Sequence, residues 1–211
     1  HRALLRHPGF GSAEGGAAQF YTARGESERA KQYLDEAWEI SVARSARGRP
    51  IEVHSQVTVY AGLAAFYLAS GEFVRAVEIG EQGLAIADRA GYSVWSAYRL
   101  IPVLAEAALW SRERVRAKQL RDRLLEESTQ LGNRLGLVWV GAGDGLIARL
   151  ADDFENAEQL IRKSIVELEQ IPWVYDAARL RRWLADVLIQ KGDHEAGVRE
   201  LRKSHEICAR L

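Results

Sequence analysis

Apolar side chains recur at helical spacing along nearly the whole chain, and the alternation of apolar and polar residues that marks half-buried strands is almost absent. The pattern therefore predicts an all-α protein. Glycine, proline and short polar clusters interrupt it and divide it into helices over 12–23, 27–46, 51–69, 73–90, 94–110, 113–131, 134–151, 155–170, 174–191 and 195–211. The longer breaks stand at Ala90-Gly91-Tyr92, Leu131-Gly132-Asn133 and Ile171-Pro172-Trp173.

One junction recurs five times. It reads Ala23-Arg24-Gly25-Glu26, Ser70-Gly71-Glu72-Phe73, Ser111-Arg112-Glu113-Arg114, Ala151-Asp152-Asp153-Phe154 and Lys191-Gly192-Asp193-His194. A small residue closes each copy at Ala30, Ala76, Ala117, Ala157 and Gly197, in steps of 46, 41, 40 and 40. A glycine just past a helix takes a left-handed conformation at little cost, and an acidic residue after it suits the start of the next helix. Twelve residues before each closing small residue stands another, at Ala18, Ala64, Ala105, Gly145 and Ala185. Small residues at both places let two backbones approach, so each copy reads as one antiparallel helical hairpin. The hairpins span approximately 10–48, 51–92, 93–133, 134–173 and 174–211.

In the second copy Tyr60, Leu63, Ala64, Tyr67, Gly71, Phe73 and Ala76 resemble, in order and spacing, the consensus of the tetratricopeptide repeat (TPR) family. Leu184, Ala185, Leu188, Gly192, His194 and Gly197 in the fifth copy, and Gly145, Phe154 and Ala157 in the fourth, are similar to it more loosely. The resemblance implies a right-handed superhelical solenoid of about five hairpins. Arg112 replaces the turn glycine and Arg114 the following aromatic, departures that predict an altered turn and a splayed third hairpin. In the first copy Pro8 and a run of glycines predict a short first helix. The 40-residue step exceeds the roughly 34 of the common repeat, so the helices are expected to be longer. Long repeats of this kind resemble the C-terminal arrays of bacterial LuxR-type ATP-dependent transcription activators and of cyclase-linked signalling ATPases.

Composition narrows the functional classes. Basic and acidic side chains balance at 29 each, so no overall field draws the molecule to nucleic acid or an anionic membrane. No apolar run nears the roughly 20 residues that span a bilayer, and Ala61 to Ala69 is interrupted by Gly62. The single cysteine, Cys208, cannot close an internal disulfide, and a cytoplasmic location is expected. The chain reads as one repeat domain over 1–211. Its lack of methionine and its opening His1-Arg2-Ala3 suggest a piece of a larger multidomain protein.

Candidate chemistry is sparse. Gly141-Ala142-Gly143-Asp144-Gly145 follows an apolar run, but Leu146 stands where a dinucleotide fingerprint requires glycine, and Gly145 belongs to the small-residue register of the hairpins. His205 and Cys208 lack a third ligand for zinc, and His194 fills the aromatic slot of the repeat. Asp152-Asp153 and Glu126-Glu127 read as a turn and a solvated face. Arg112, Arg114, Arg116, Lys118, Arg121 and Arg123 form a basic run that either meets an acidic partner or pairs with neighbours on an outer helix. No catalytic group, metal or cofactor is expected.

The resemblance implies a concave groove lined by the first helix of each hairpin. Its groove-facing positions fall on Thr58, Ala61 and Leu68, on Arg99, Glu106 and Leu109, on Trp139, Ala142, Leu146 and Arg149, and on Arg179, Arg182 and Asp186. Arg99, Glu106, Trp139, Arg149, Arg179, Arg182 and Asp186 are the candidate binding residues. The arginines either clamp carboxylates of a ligand, with Trp139 as an apolar platform, or pair with one another's acidic neighbours. The expectation is a non-catalytic interaction scaffold or regulatory module for a protein or peptide, the alternative a sensor for a small anionic effector. Leu201, Ile207 and Leu211 leave an apolar end suited either to a continuing parent chain or to homo-oligomerisation.

Overall fold

The computed structural model describes residues 11–43, 53–92, 99–171 and 173–210. Among these, ten α-helices and no strands are present. They are α1 Gly11–Ala23, α2 Ser27–Trp38, α3 Val53–Ala69, α4 Phe73–Arg89, α5 Ile101–Trp110, α6 Arg114–Leu131, α7 Arg134–Leu150, α8 Phe154–Gln170, α9 Val174–Gln190 and α10 His194–Arg210. The helix expected over 27–46 turns π-helical at Glu39–Ala43, and Arg99 and Leu100 precede α5 in the same conformation. Six helices are 17 residues long, about 25 Å each. The first helix is described from Gly11, the first described residue, to Ala23. Pro8, Trp95, Pro172 and Leu211 lie outside the described residues.

The five recurring junctions make one backbone motif. Gly25, Gly71 and Gly192 have φ of 72°, 79° and 91°. Arg112 and Asp152 adopt the same left-handed conformation at 63° and 61° without being glycine. In each case the left-handed residue and its successor donate to carbonyls of the last helical turn: Gly71 to Leu68 and Glu72 to Tyr67, Arg112 to Leu109 and Glu113 to Ala108. The altered turn expected at Arg112 is therefore not found, because the motif is held by backbone N–H and carbonyl groups that any residue but proline supplies. Asp153 and Asp193 then cap the next helix, accepting from Asn156 N–H at 3.4 Å and Ala196 N–H at 3.0 Å. Glu26 and Glu72 make no such cap and pair with arginines instead.

The chain divides into two compact units, His1–Leu120 and Arg121–Leu211, with the division inside α6. In the first, α1 packs on α2 and α3, α3 on α4, and α4 on α5. Ala18, Ala30, Ala64 and Ala76 are fully buried where the hairpin helices meet. In the second, α7 packs on α8, α8 on α9, and α9 on α10. A Cβ at Gly145 would stand 2.7 Å from Ile161 Cγ1 and 3.3 Å from the Ala157 carbonyl, and one at Gly197 would stand 2.6 Å from Ile189 Cγ1. These glycines thus permit the close approach expected of the small-residue register. The hydroxyl of Ser164 donates to the Val138 carbonyl at 3.3 Å, and that of Ser204 to Ala178 at 2.7 Å, the same bond one 40-residue step along.

Candidate functional site

The second unit gathers most of the candidate residues on α7 and α9, the first helices of the fourth and fifth hairpins. Tyr175, Arg179, Arg182 and Asp186 share one face of α9 at helical spacing, as do Trp139, Ala142, Leu146 and Arg149 on α7. Trp139 meets Trp183 edge-on, with centroids 5.6 Å apart and planes at 67°. The Arg179 guanidinium lies over Trp139 at 4.5 Å from the ring centroid, and its Nη1 donates to Asp176 at 3.3 Å. Arg149 Nε and Nη2 donate to the two carboxylate oxygens of Asp186 at 2.6 and 3.2 Å. Arg182 is exposed and makes no ion pair among the described residues.

This geometry sorts the groove positions into two settings. Trp139, Ala142 and Leu146 are 5%, 0% and 1% exposed, because α8, α9 and their neighbours cover them. Trp139 serves as the floor beneath Arg179 and Trp183 rather than as an open platform. Arg149 takes the second course left open by the sequence and pairs with an acidic neighbour. Arg182 remains at the surface.

In the first unit Arg99 is exposed and donates to Gln19 Oε1 at 2.6 Å. Glu106 is buried, accepting from Trp110 Nε1 at 3.5 Å. Ala61, Leu68 and Leu109 are buried as well, while Thr58 donates to the His54 carbonyl.

A second polar cluster was not anticipated. Arg181 donates to Glu169 and, at 2.5 Å, to Glu200, which also accepts from Lys203 at 2.8 Å. Burial pushes the Glu200 carboxyl up, but the bonds from Lys203 and Arg181 outweigh it and hold it below the ordinary value. The available signal was Glu200 standing at the buried spacing of Gly197 and Ser204 on α10. Lys191 likewise joins Glu155 and Glu158 at 2.8 and 2.7 Å. Bonding to Lys191, with Arg162 assisting, draws the Glu158 carboxyl down against the opposing effect of burial.

Three members of the basic run meet acidic neighbours. Arg116 pairs with Glu81, Arg121 forks onto Asp144, and Arg123 bonds Glu127 four residues on. Among the described residues no group of three or more His, Cys, Asp or Glu side chains is placed to hold a metal, and no helix is long and apolar enough to cross a membrane.

No family model and no curated protein matches this chain. Solved structures do. BtubC (BKLC) from P. vanneervenii is 18% identical with a TM-score of 0.56, over 91% of this chain and 77% of that one. A putative kinesin light chain of Podosopora anserina with nearly identical TPR-like repeats is 18% identical with the same TM-score, over 98% of both chains. A variant of that protein matches over 94% of both chains, again at 18% identity and a TM-score of 0.56. Together with the helical hairpins and their shared turn, this likeness shows the fold to be an all-α, TPR-like helical repeat.

Proposed function

We propose that the chain is a non-catalytic protein-interaction scaffold that binds an acidic segment of a partner along the α7 and α9 face. The observation that carries this reading is the ordered cation cluster of that face. Arg179 is held by Trp139 and Asp176, Arg149 by Asp186, and Arg182 stands exposed on the same helix face as Arg179. With Arg179 and Arg149 each held by a neighbouring aspartate, exposed Arg182 is the cation of this face that a partner's carboxylate would meet. TPR-like repeats in general serve as surfaces for protein partners, and the fold supports the same use here. The long repeat, with its resemblance to arrays of bacterial signalling ATPases and transcription activators, supports a regulator as the setting.

The small-effector reading is less favoured by this geometry, since Asp186 already occupies the Arg149 fork that an effector carboxylate would use. Affinity capture from the source cell with the unaltered chain and with Arg182→Glu tests the proposal. The proposal expects a partner retained by the first and lost with the second. Equal retention by both removes the α7 and α9 face from consideration.

A further inference from the structure

The second residue of the second helix in each hairpin is, along the chain, Glu28, Val74, Val115, Glu155 and Glu195. A carboxylate in the first turn of a helix meets the positive end of the helix dipole, so three hairpins carry what the position favours. Val74 and Val115 depart from it, yet they are 60% and 75% exposed, so burial does not explain them. Both lie in the middle of the array, with a hairpin before and after each in the chain, so neither exposure is made by an end of the sequence.

The two turns stand side by side. Phe73, just before Val74, meets Trp110, the last residue of α5, with ring centroids 6.3 Å apart. Arg116 on α6 pairs with Glu81 on α4 at 2.7 Å. Between Trp110 and Val115 the chain makes its left-handed turn at Arg112. A Cβ added at Gly71 or Gly192, at the same place in other turns, meets nothing within 4 Å, so a side chain there projects clear of its hairpin. Three turns use glycine at this place and a fourth uses aspartate, which adopts the conformation more readily than most residues. Arg112 alone holds a long cation in it, and that cation is exposed.

Charge at this edge is one-sided. From Ser111 to Lys118 four cations stand against one carboxylate, Glu113, and with Glu81 counted for Arg116 the excess is still two. On α4 Arg75 is answered by Glu72 and Glu78 is exposed, so the excess lies on the α6 side. Arg112 and Lys118 are exposed and make no ion pair among the described residues. An occupant must therefore bring apolar groups to the valines and carboxylates to these two cations. A second copy of the chain fits poorly, because its acidic turns at 151–155 and 191–195 expose no large apolar side chain.

We infer that the paired turns of the second and third hairpins bind a short acidic segment of a partner protein, its apolar side chains on Val74 and Val115 and its carboxylates at Arg112 and Lys118. This surface lies on α4 and the start of α6 and does not rest on the reading of the α7 and α9 face.

The test is anisotropy titration of the whole chain with a labelled peptide in which two leucines, three residues apart, stand among glutamates. That spacing spans about 10 Å when extended, close to the distance between neighbouring helices. A version with lysine for glutamate is the control. The glutamate peptide is expected to bind, more weakly as salt rises, and the lysine peptide is not. Val115→Glu restores the residue type of the other hairpins and so keeps the fold; it and Arg112→Glu are each expected to weaken binding about five-fold or more. Arg112→Gly separates binding from structure, since it should weaken the peptide while leaving the unfolding midpoint unchanged or higher. Arg182→Glu should leave the titration as it is. No binding, equal binding of both peptides, or undiminished binding by Val115→Glu would overturn the inference. So would loss of binding with Arg182→Glu alone, or sedimentation showing a dimer that Val115→Glu dissociates.

Discussion

Arg149, in the last turn of α7, and Asp186, near the C-terminal end of α9, form a two-point ion pair that ties the first helices of neighbouring hairpins together. Both side chains are only partly exposed, at 22% and 32%, so the pair is less screened than one on an open surface. A double-mutant cycle of Arg149→Ala and Asp186→Ala, followed by urea unfolding, is expected to give a coupling of about 1 kcal/mol. Additive single effects would mean the fork contributes nothing to docking the two helices.

Two glycines of α7 should respond oppositely to the same change. Gly145→Ala forces a Cβ to 2.7 Å from Ile161 Cγ1 and should cost about 1–3 kcal/mol despite the better helix former. At Gly143 the nearest atom to an added Cβ is Arg121 Cγ at 3.9 Å, an ordinary contact, so Gly143→Ala should stabilise by about 0.5–1 kcal/mol. Thermal unfolding of both variants checks the pair, and a gain at Gly145 would contradict the close approach of α7 and α8.

The left-handed turn predicts an asymmetry between hairpins. Arg112→Gly relieves the cost of holding a side chain at φ 63° and should stabilise by about 0.5–1 kcal/mol. Gly192→Ala imposes that cost at φ 91° and should destabilise by about 1 kcal/mol or more. Matched denaturation curves of the two variants decide this.

Stability should fall in acid through named carboxylates. Glu158, drawn down chiefly by Lys191, has a folded pKa below its ordinary 4.5, as does Glu200 once Lys203 and Arg181 outweigh its burial. Groups depressed on folding contribute fully above 4.5 and lose that contribution as pH falls through the lower folded value. Urea midpoints are expected to hold above this range and decline below it, and Glu158→Gln should flatten the decline while lowering stability at neutral pH. An unchanged acid limb in the variant would remove Glu158 from the account.

The hairpins were legible because their turn recurs with one spacing and their small residues stand where two backbones meet. At Arg112 the residue type misled, since the turn is made by N–H groups of Arg112 and Glu113 to carbonyls of Leu109 and Ala108, which a sequence does not display. The π-helical turn at Glu39–Ala43 had no signal we can identify.

The sequence grouped residues of which two pairs meet, Trp139 with Arg179 and Arg149 with Asp186, but positions such as Ala142 and Leu146 are covered rather than open. Helical periodicity marks which side of α7 is apolar; it does not say whether that side meets a partner or the next helix of the same chain. The ion pair of Arg149 and Asp186 spans 37 residues, beyond the reach of any local spacing rule.

The most direct test of the scaffold account is photocrosslinking in the source cell, with a benzophenone amino acid placed at half-buried position 175, on the same face of α9 as Arg182, or, on the second helix of the preceding hairpin, at exposed position 163. The account predicts a discrete protein adduct at 175, with crosslinks on an acidic segment of the partner, and none at 163. Adducts at 163 alone, or at neither position, would contradict binding along the α7 and α9 face.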